Sequence, residues 1–492
     1  MKFSICLLGI MISAFGVSEG SAQKNAQNWQ RNKEPLLTNF NNMYNPCVIE
    51  TEGEYPYLMW FFGWANDHTN QKFPGCDAIY HARSKDLKDW EVFCGDGAWD
   101  TSMNPEHWVP VIHASERWYE AWHTGDPAVV FKDGIFYMAY SATSKHFSAR
   151  DGYPSTMVQC LMGATSKDGI QWEKSSSPIL IRKGDQPDPD PEPGRIGDFH
   201  RPSLHWEDGK WRLWFDYWHP DHGVCMGYAE NDTEFLVQGG FQIQHDLNQP
   251  MLNNWPNPNV VRIDGVYHSF ADPTGYPIEE GESHWKSRQL CEAISQDGIK
   301  WKKLDYIDPD RGIDACHVPE AFVTTQDGKR WLYLFYATQI GYRKKDGSYH
   351  YQYDQIRAMR RELVREMRTF RDITGQHRVK ALPQAIDHEN VRLLKEDGDF
   401  LTMPLANLSR TDQAYLKKLD LPDMQEEVGR KSSPEFRVFS DASGKHKTEA
   451  KFVKLSDGKV VLLKRDGSTI SLPMDRLSID DQAYVKDRLA NQ

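Results

Sequence analysis

Two acidic residues in this chain recur at places where an enzyme would want them. Asp126 precedes a proline in Asp126-Pro127-Ala128-Val129, and Glu320 follows one in Val318-Pro319-Glu320-Ala321. Two carboxyl groups flanking a cavity can cleave a bond between sugars, one taking a proton from water and the other protonating the departing oxygen. Asn45, Arg201 and Asn257 stand before the prolines of three further motifs of this kind, where they would position a polar substrate. His123, His200 and His317 lie one to three residues ahead of such motifs and add ligands for hydroxyl groups. Trp64, Trp122 and Trp218 are candidate platforms for the apolar faces of sugar rings, and Trp60, Trp214 and Trp255 belong to the same set. Asp198 and Asp272 are alternative carboxylates.

These residues recur because the chain repeats. A residue, a proline and an apolar run occur five times, beginning at Asn45, Asp126, Arg201, Asn257 and Val318. In four of them Asp-Gly follows, at 133–134, 208–209, 264–265 and 327–328, and leads into an aromatic-rich run. Asp-Gly between two β-rich runs is a strong hairpin signal, and proline suits the start of a strand. A second signature closes three units: Ser84 to Trp90, Ser166 to Trp172 and Ser295 to Trp301, each Ser-x-Asp-x-x-x-Trp. Five units of several short strands predict an all-β, five-bladed β-propeller over residues 30–345. The first strand of each blade would line the channel. By the alternation of side chains along a strand, the residues before and after each proline would share the channel face. The residue before proline varies from blade to blade, so the scaffold does not require an acid there. Two steps around a ring of five would let Asp126 and Glu320 face one another.

With those motifs in view, residues ~40–345 resemble the five-bladed glycoside hydrolase superfamily of arabinanases, levansucrases and invertases, in the style of family 43. The resemblance implies Asp126 as general base, Glu320 as general acid and an inverting outcome. It also implies a second acid-tuning Asp where this chain has Asn257, and an Asn can hold a hydrogen bond but cannot raise the pKa of Glu320 by charge. A sialidase-like chemistry would need an arginine cluster, and only Arg201 takes such a place.

The chain has 492 residues, mean hydropathy −0.68 and net charge −12, which exclude a polytopic membrane protein and argue against a general nucleic-acid binder. All 17 tryptophans lie between Trp29 and Trp331. Up to residue 340 there are 29 basic and 46 acidic residues, net −17, and beyond it 29 and 24, net +5. Residues 1–22 read as a secretory signal, with Lys2, an apolar run from Ile5 to Val17 and small residues at Ser21-Ala22. A secreted, periplasmic or cell-envelope location follows as the expectation, with no membrane span once the signal is removed. Seven cysteines then remain, an odd number without C-x-x-C spacing, so neither a zinc knuckle nor a disulfide framework is expected. The run Asp185 to Glu192 reads as a solvated extended loop; a structural Ca²⁺ there is not indicated. No cofactor and no metal ligand set is expected.

The tail is one module written twice. Residues 367–418 and 436–487 align at an offset of 69 without gaps, pairing Phe370 with Phe439, Asp372 with Asp441, Gly375 with Gly444 and Asp412-Gln413-Ala414-Tyr415 with Asp481-Gln482-Ala483-Tyr484. Each copy reads as short strands around a turn and a helix opened by a Ser cap. Residues 346–366 form a connector, and the Arg- and Glu-rich stretch from Tyr353 to Arg371, which overlaps it, finishes blade 5 and leads to the tail; residues 419–435 are a linker. Both copies resemble the Sla-type homology domain 1, a small SH3-like β-barrel, which implies a protein or peptide partner. The combined expectation is a glycosidase acting on an oligo- or polysaccharide, and the alternative is a non-catalytic carbohydrate-binding propeller tethered by its tail.

Overall fold

The computed structural model describes residues 29–65, 72–144, 158–182, 197–276, 284–307, 317–345, 349–395, 400–419, 421, 437–442, 446–456, 459–464, 469–478, 481–482 and 484–486. The expected signal at 1–22, the acidic run 185–192 and Cys316 lie outside them. The chain forms two compact units, Met1–Val364 and Arg365–Gln492.

The first unit is a five-bladed propeller. Its inner strands are Tyr44–Glu50, His123–Lys132, Gly197–Glu207, Asn259–Ile263 and His317–Gln326, for blades 1 to 5. Each leads an antiparallel sheet, and the inner strands neighbour one another in the order 1-2-3-4-5-1. Blade 5 is closed by the chain's start: Gln30–Arg31 and Leu37–Phe40 pair with Tyr349–Glu362. That 14-residue strand is integral to blade 5, so most of the stretch expected as connector belongs to the propeller. The Asp-Gly hairpins turn as required, with Asp133, Asp208, Asp264 and Asp327 at φ 49–52° and the following glycines at 74–80°.

Consecutive blades are joined by their side chains as well as by apolar cores. The Ser-x-Asp-Gly turns receive a tryptophan from the preceding blade: Trp60 Nε1 donates to Gly169 O (2.9 Å) and Trp214 Nε1 to Gly298 O (2.8 Å). Gly169 has φ +73°, and a Cβ there would lie 2.8 Å from the Trp60 ring, so both conformation and space demand glycine. Trp60, Trp214 and Trp255 are fully buried, which removes them from the expected sugar platforms. Their flat apolar surface is used between sheets.

A hydrogen-bonded ring runs around the channel. Cys47 Sγ accepts from Val129 N–H, Ser203 Oγ from Val260 N–H, Asn259 Oδ1 from Ala321 N–H, and Glu320 Oε1 from Val48 N–H. Each acceptor directly follows the proline of its blade and reaches the next blade. Blade 2 offers Ala128, which has nothing to accept with.

In the second unit each module is a four-stranded antiparallel sheet, Arg368–Arg371 to Phe400–Pro404 and Arg437–Ser440 to Thr469–Pro473. The cores repeat at the offset of 69: Phe370, Ala381, Val391, Leu393, Leu408 and Leu416 match Phe439, Ala450, Val460, Leu462, Leu477 and Val485. Asp412 accepts from Arg371 N–H and Ser409 Oγ–H, and Asp481 repeats this with Ser440 N–H and Ser478 Oγ–H.

Candidate functional site

The residues before the five prolines do not sit in the regular pleat. Asn45, Asp126, Arg201, Asn257 and Val318 all have φ between 46° and 54°, a left-handed conformation that is a marked outlier for a β-branched residue such as Val318. Strand register slips between Tyr44 and Cys47, His200 and Ser203, and His317 and Glu320. The expectation that the two residues flanking proline share a face therefore fails locally. What stabilises the kink is a bond to the preceding blade. Arg201 N–H donates to Ser141 Oγ (2.8 Å), Asn257 N–H to Asp216 (2.9 Å) and Val318 N–H to Asp272 (3.2 Å).

The kinks gather one cluster at the end of the channel where the inner strands begin. The Asp-Gly hairpins sit at the opposite end. Asp126 is 1% exposed, with His200 Nε2 at 3.3 Å, His123 Nε2 at 3.7 Å and Arg201 Nε at 4.0 Å. Neither of its oxygens receives an aligned hydrogen bond. Burial alone would raise its pKa, but His200, His123 and Arg201 together hold the carboxyl well below the usual range. His123 Nδ1 lies 2.7 Å from Asp77 Oδ2, and Cys76 Sγ–H donates to the same oxygen at 2.9 Å. Burial opposes protonation of His123, yet Asp126, Asp77 and Cys76 drive its pKa well above the ordinary value. His200 is pushed well below its usual value by burial, against the pull of Asp126.

Arg201 turns its other edge to Asp216, with Nη1 to Oδ2 at 3.2 Å. Asn257 Nδ2 donates to Asp272 Oδ1, and Arg288 pairs with Asp272 Oδ2. A carboxylate thus stands one hydrogen bond behind Asn257. His317 packs against Tyr44, ring centroids 5.0 Å apart, and Tyr44, Phe62, His123 and His200 follow in edge and tilted contacts. Burial, then Arg288 and Arg201, keep His317 well below the usual imidazole value.

Glu320 lies deeper. It follows its proline, two residues and roughly 6–7 Å along the strand from the layer of Asp126. Oε1 accepts from Val48 N–H at 3.1 Å and Oε2 from Asn259 Nδ2. Burial pushes its carboxyl up to about 8 despite these donors, so it is largely neutral at pH 7. Asn45 Nδ2 donates to Pro127 O at 3.4 Å. Trp122 is 37% exposed, and Trp64 and Trp218 are half-buried at the ends of second strands on the same side. Asp198 is half-buried and shares the left-handed backbone.

Among the described residues two groups combine donor types that metals use, Cys76–Asp77–His123 and His123–Asp126–His200. In the first, separations of 2.7 and 2.9 Å are hydrogen-bond distances, shorter than the ~3.3 Å that ligands keep around a tetrahedral ion. In the second, His200 Nε2 and His123 Nε2 stand 3.3 and 3.7 Å from Asp126 Oδ2. The sequence reading missed Asp77, Asp216, Arg288, Tyr44 and Phe62. Phe62 lies on the second strand of blade 1, Asp77 on its third and Asp216 on the second strand of blade 3, all outside the repeated motif, and only for the two acids could a polar residue within an apolar run have served as a signal.

The family model of the SLA1 homology domain 1 matches residues 430–492, the second tail module. No curated protein sequence matches the chain. Solved structures to which it is similar are propeller glycoside hydrolases. They include a family 117 enzyme from the marine bacterium Zobellia galactanivorans (13% identity, 68% of this chain and 91% of that one, TM-score 0.46). An alpha-L-arabinofuranosidase from Lactobacillus brevis is another (12%, 66% and 92%, 0.42). A family 32 beta-fructofuranosidase from Bombyx mori is a third (12%, 92% and 84%, 0.41).

Proposed function

We propose that the propeller is a glycosidase that hydrolyses a glycosidic bond of an oligo- or polysaccharide by acid–base catalysis in its channel. One observation carries this reading: the channel drives two carboxyl groups to opposite protonation states. Asp126 is held ionised by the charges of His123 and Arg201, and Glu320 is held neutral by burial. Such a divergence is how acid and base are assigned at one pH. Asp126 would take the proton from water and Glu320 would protonate the departing oxygen, with inversion as the stereochemical outcome. Arg201, half-exposed beside Asp126, and Asn257 would orient the sugar. The base role requires water to reach Asp126, which is 1% exposed in the structure. The leader-like residues 1–22 support action outside the cytoplasm, and the tail modules a protein or peptide partner.

The test is a glycan panel incubated with the full chain, with Asp126→Asn and with Glu320→Gln. Cleavage by the wild type that each variant loses by at least ~10²-fold, with binding retained, supports the enzyme. Binding without cleavage by the wild type supports the second reading, a carbohydrate-binding propeller. That reading is favoured by Glu320 having both oxygens tied into the ring.

A further inference from the structure

Blade 5 differs from the others at the mouth. In blade 1 Phe62 pairs with Tyr44 and the second strand ends at Trp64. In blade 2 Thr143 pairs with His123 and ends the strand, and in blade 3 Trp218 pairs with Gly197 and the strand ends at His219. In blade 5 Ala337 pairs with His317, and the strand then continues six residues to Arg343. Tyr349–Gln355 rises beside it, so this hairpin overhangs the mouth by about 20 Å.

The overhang is anchored and chemically distinct. Tyr351 Oη accepts from Asn42 N–H at 3.0 Å and donates to Asp354 at 2.6 Å, and Gln339 Nε2 donates to the Tyr44 hydroxyl at 3.5 Å. These bonds seat one face on blade 1 at the mouth. The cross-strand pair Tyr342 and His350, ring centroids 4.9 Å apart, belongs to the other face, and Tyr342 is 51% exposed. Lys344 and Lys345 are exposed just beyond. Residues 339–350 carry three cations against one acid, in contrast to the net −17 of the preceding 340 residues.

We propose that this overhang is a glycan subsite for an anionic stretch of the substrate, carrying carboxylate or sulfate groups. The inference rests on the reading of the channel as a glycan site and names the substrate class. A sugar ring stacks on Tyr342, and Lys344 and Lys345 meet the anionic substituents, while the chain's continuation enters the channel between blades 4 and 1.

Affinity electrophoresis of the full chain through gels containing dextran, carboxymethyl-dextran or dextran sulfate tests it without requiring turnover. A propeller that hydrolyses nothing therefore overturns the glycosidase reading and leaves this measurement intact. The wild type is retarded by one or both charged polymers and not by dextran, and the two charged arms distinguish carboxylate from sulfate. Lys344→Ser/Lys345→Ser weakens that retardation about tenfold, and Tyr342→Ala weakens it in the same gel. The control Lys300→Ser/Lys302→Ser removes the same charge from exposed positions on the outer part of blade 4. Absent retardation, retardation that the overhang variants leave unchanged, or an equal loss in the control overturns the proposal.

Discussion

Replacing Glu320 by Gln should remove a pH dependence of stability that the wild-type propeller carries. The carboxyl has an ordinary value of 4.5 and is pushed up to about 8 in the folded channel, chiefly by burial. A raised folded-state pKa contributes stability that is complete below the unfolded value and disappears as pH rises through the folded one. At 1.36 kcal/mol per unit the rise corresponds to at most about 5 kcal/mol, and contact with channel water reduces it to roughly 2–3 kcal/mol. Wild type should therefore lose about that much relative to Glu320→Gln between pH 5 and pH 9. The variant carries a separate, pH-independent cost. Asn259 Oδ1 is committed to Ala321 N–H, so its Nδ2 must face Glu320, and a Gln amide cannot accept from both Val48 N–H and Asn259. One lost buried hydrogen bond costs about 1 kcal/mol. Guanidinium unfolding at pH 5, 6.5, 8 and 9 measures both, and tryptophan fluorescence isolates the propeller because every tryptophan precedes residue 332. A stability difference between wild type and variant that stays constant across this range would refute the assignment of Glu320 as a neutral acid.

The ring predicts two opposite outcomes at equivalent positions. Ser203→Ala leaves the buried Val260 N–H without its acceptor and should cost about 1–3 kcal/mol, whereas Ala128→Ser supplies the missing acceptor of blade 2 and should raise the unfolding midpoint. Trp60→Ala, in the wall between blades 1 and 2, should cost about 3–5 kcal/mol in the same assay, while Trp122→Ala, at a partly exposed ring, should cost clearly less and weaken glycan binding. In the tail, Asp412→Ala removes the acceptor shared by Arg371 N–H and Ser409 and should increase hydrogen exchange at residues 368–371 without change at 437–440. The pH–rate profile of glycan cleavage should fall on its alkaline side with an apparent value near 8 as Glu320 ionises, and Glu320→Gln should abolish that limb.

Much of this protein was legible because its information is local and repeated. Asp-Gly specifies a turn by its own backbone preference, Ser-x-Asp-x-x-x-Trp specifies the turn that closes a blade, and a gapless offset of 69 specifies a duplicated module core by core. Asp126, His123, His200 and Arg201 were recognisable because they recur beside a proline that marks the first strand. The tertiary structure decided what recurrence cannot. The left-handed kink before each proline depends on acceptors from the preceding blade, so side-chain direction there does not follow strand alternation. Glu320 shares a motif with Asp126 but belongs to a different layer, and its neutrality arises from burial by residues of three blades. Asp77, Asp216 and Arg288 are ordinary polar residues in sequence and acquire charge partners only when the ring closes. Tryptophans alike in sequence are either buried between blades or left partly exposed at the mouth, according to which strand end faces solvent. Sequence determines the elements by short-range preference; which charges meet, and with what protonation, depends on contacts between residues up to three hundred positions apart.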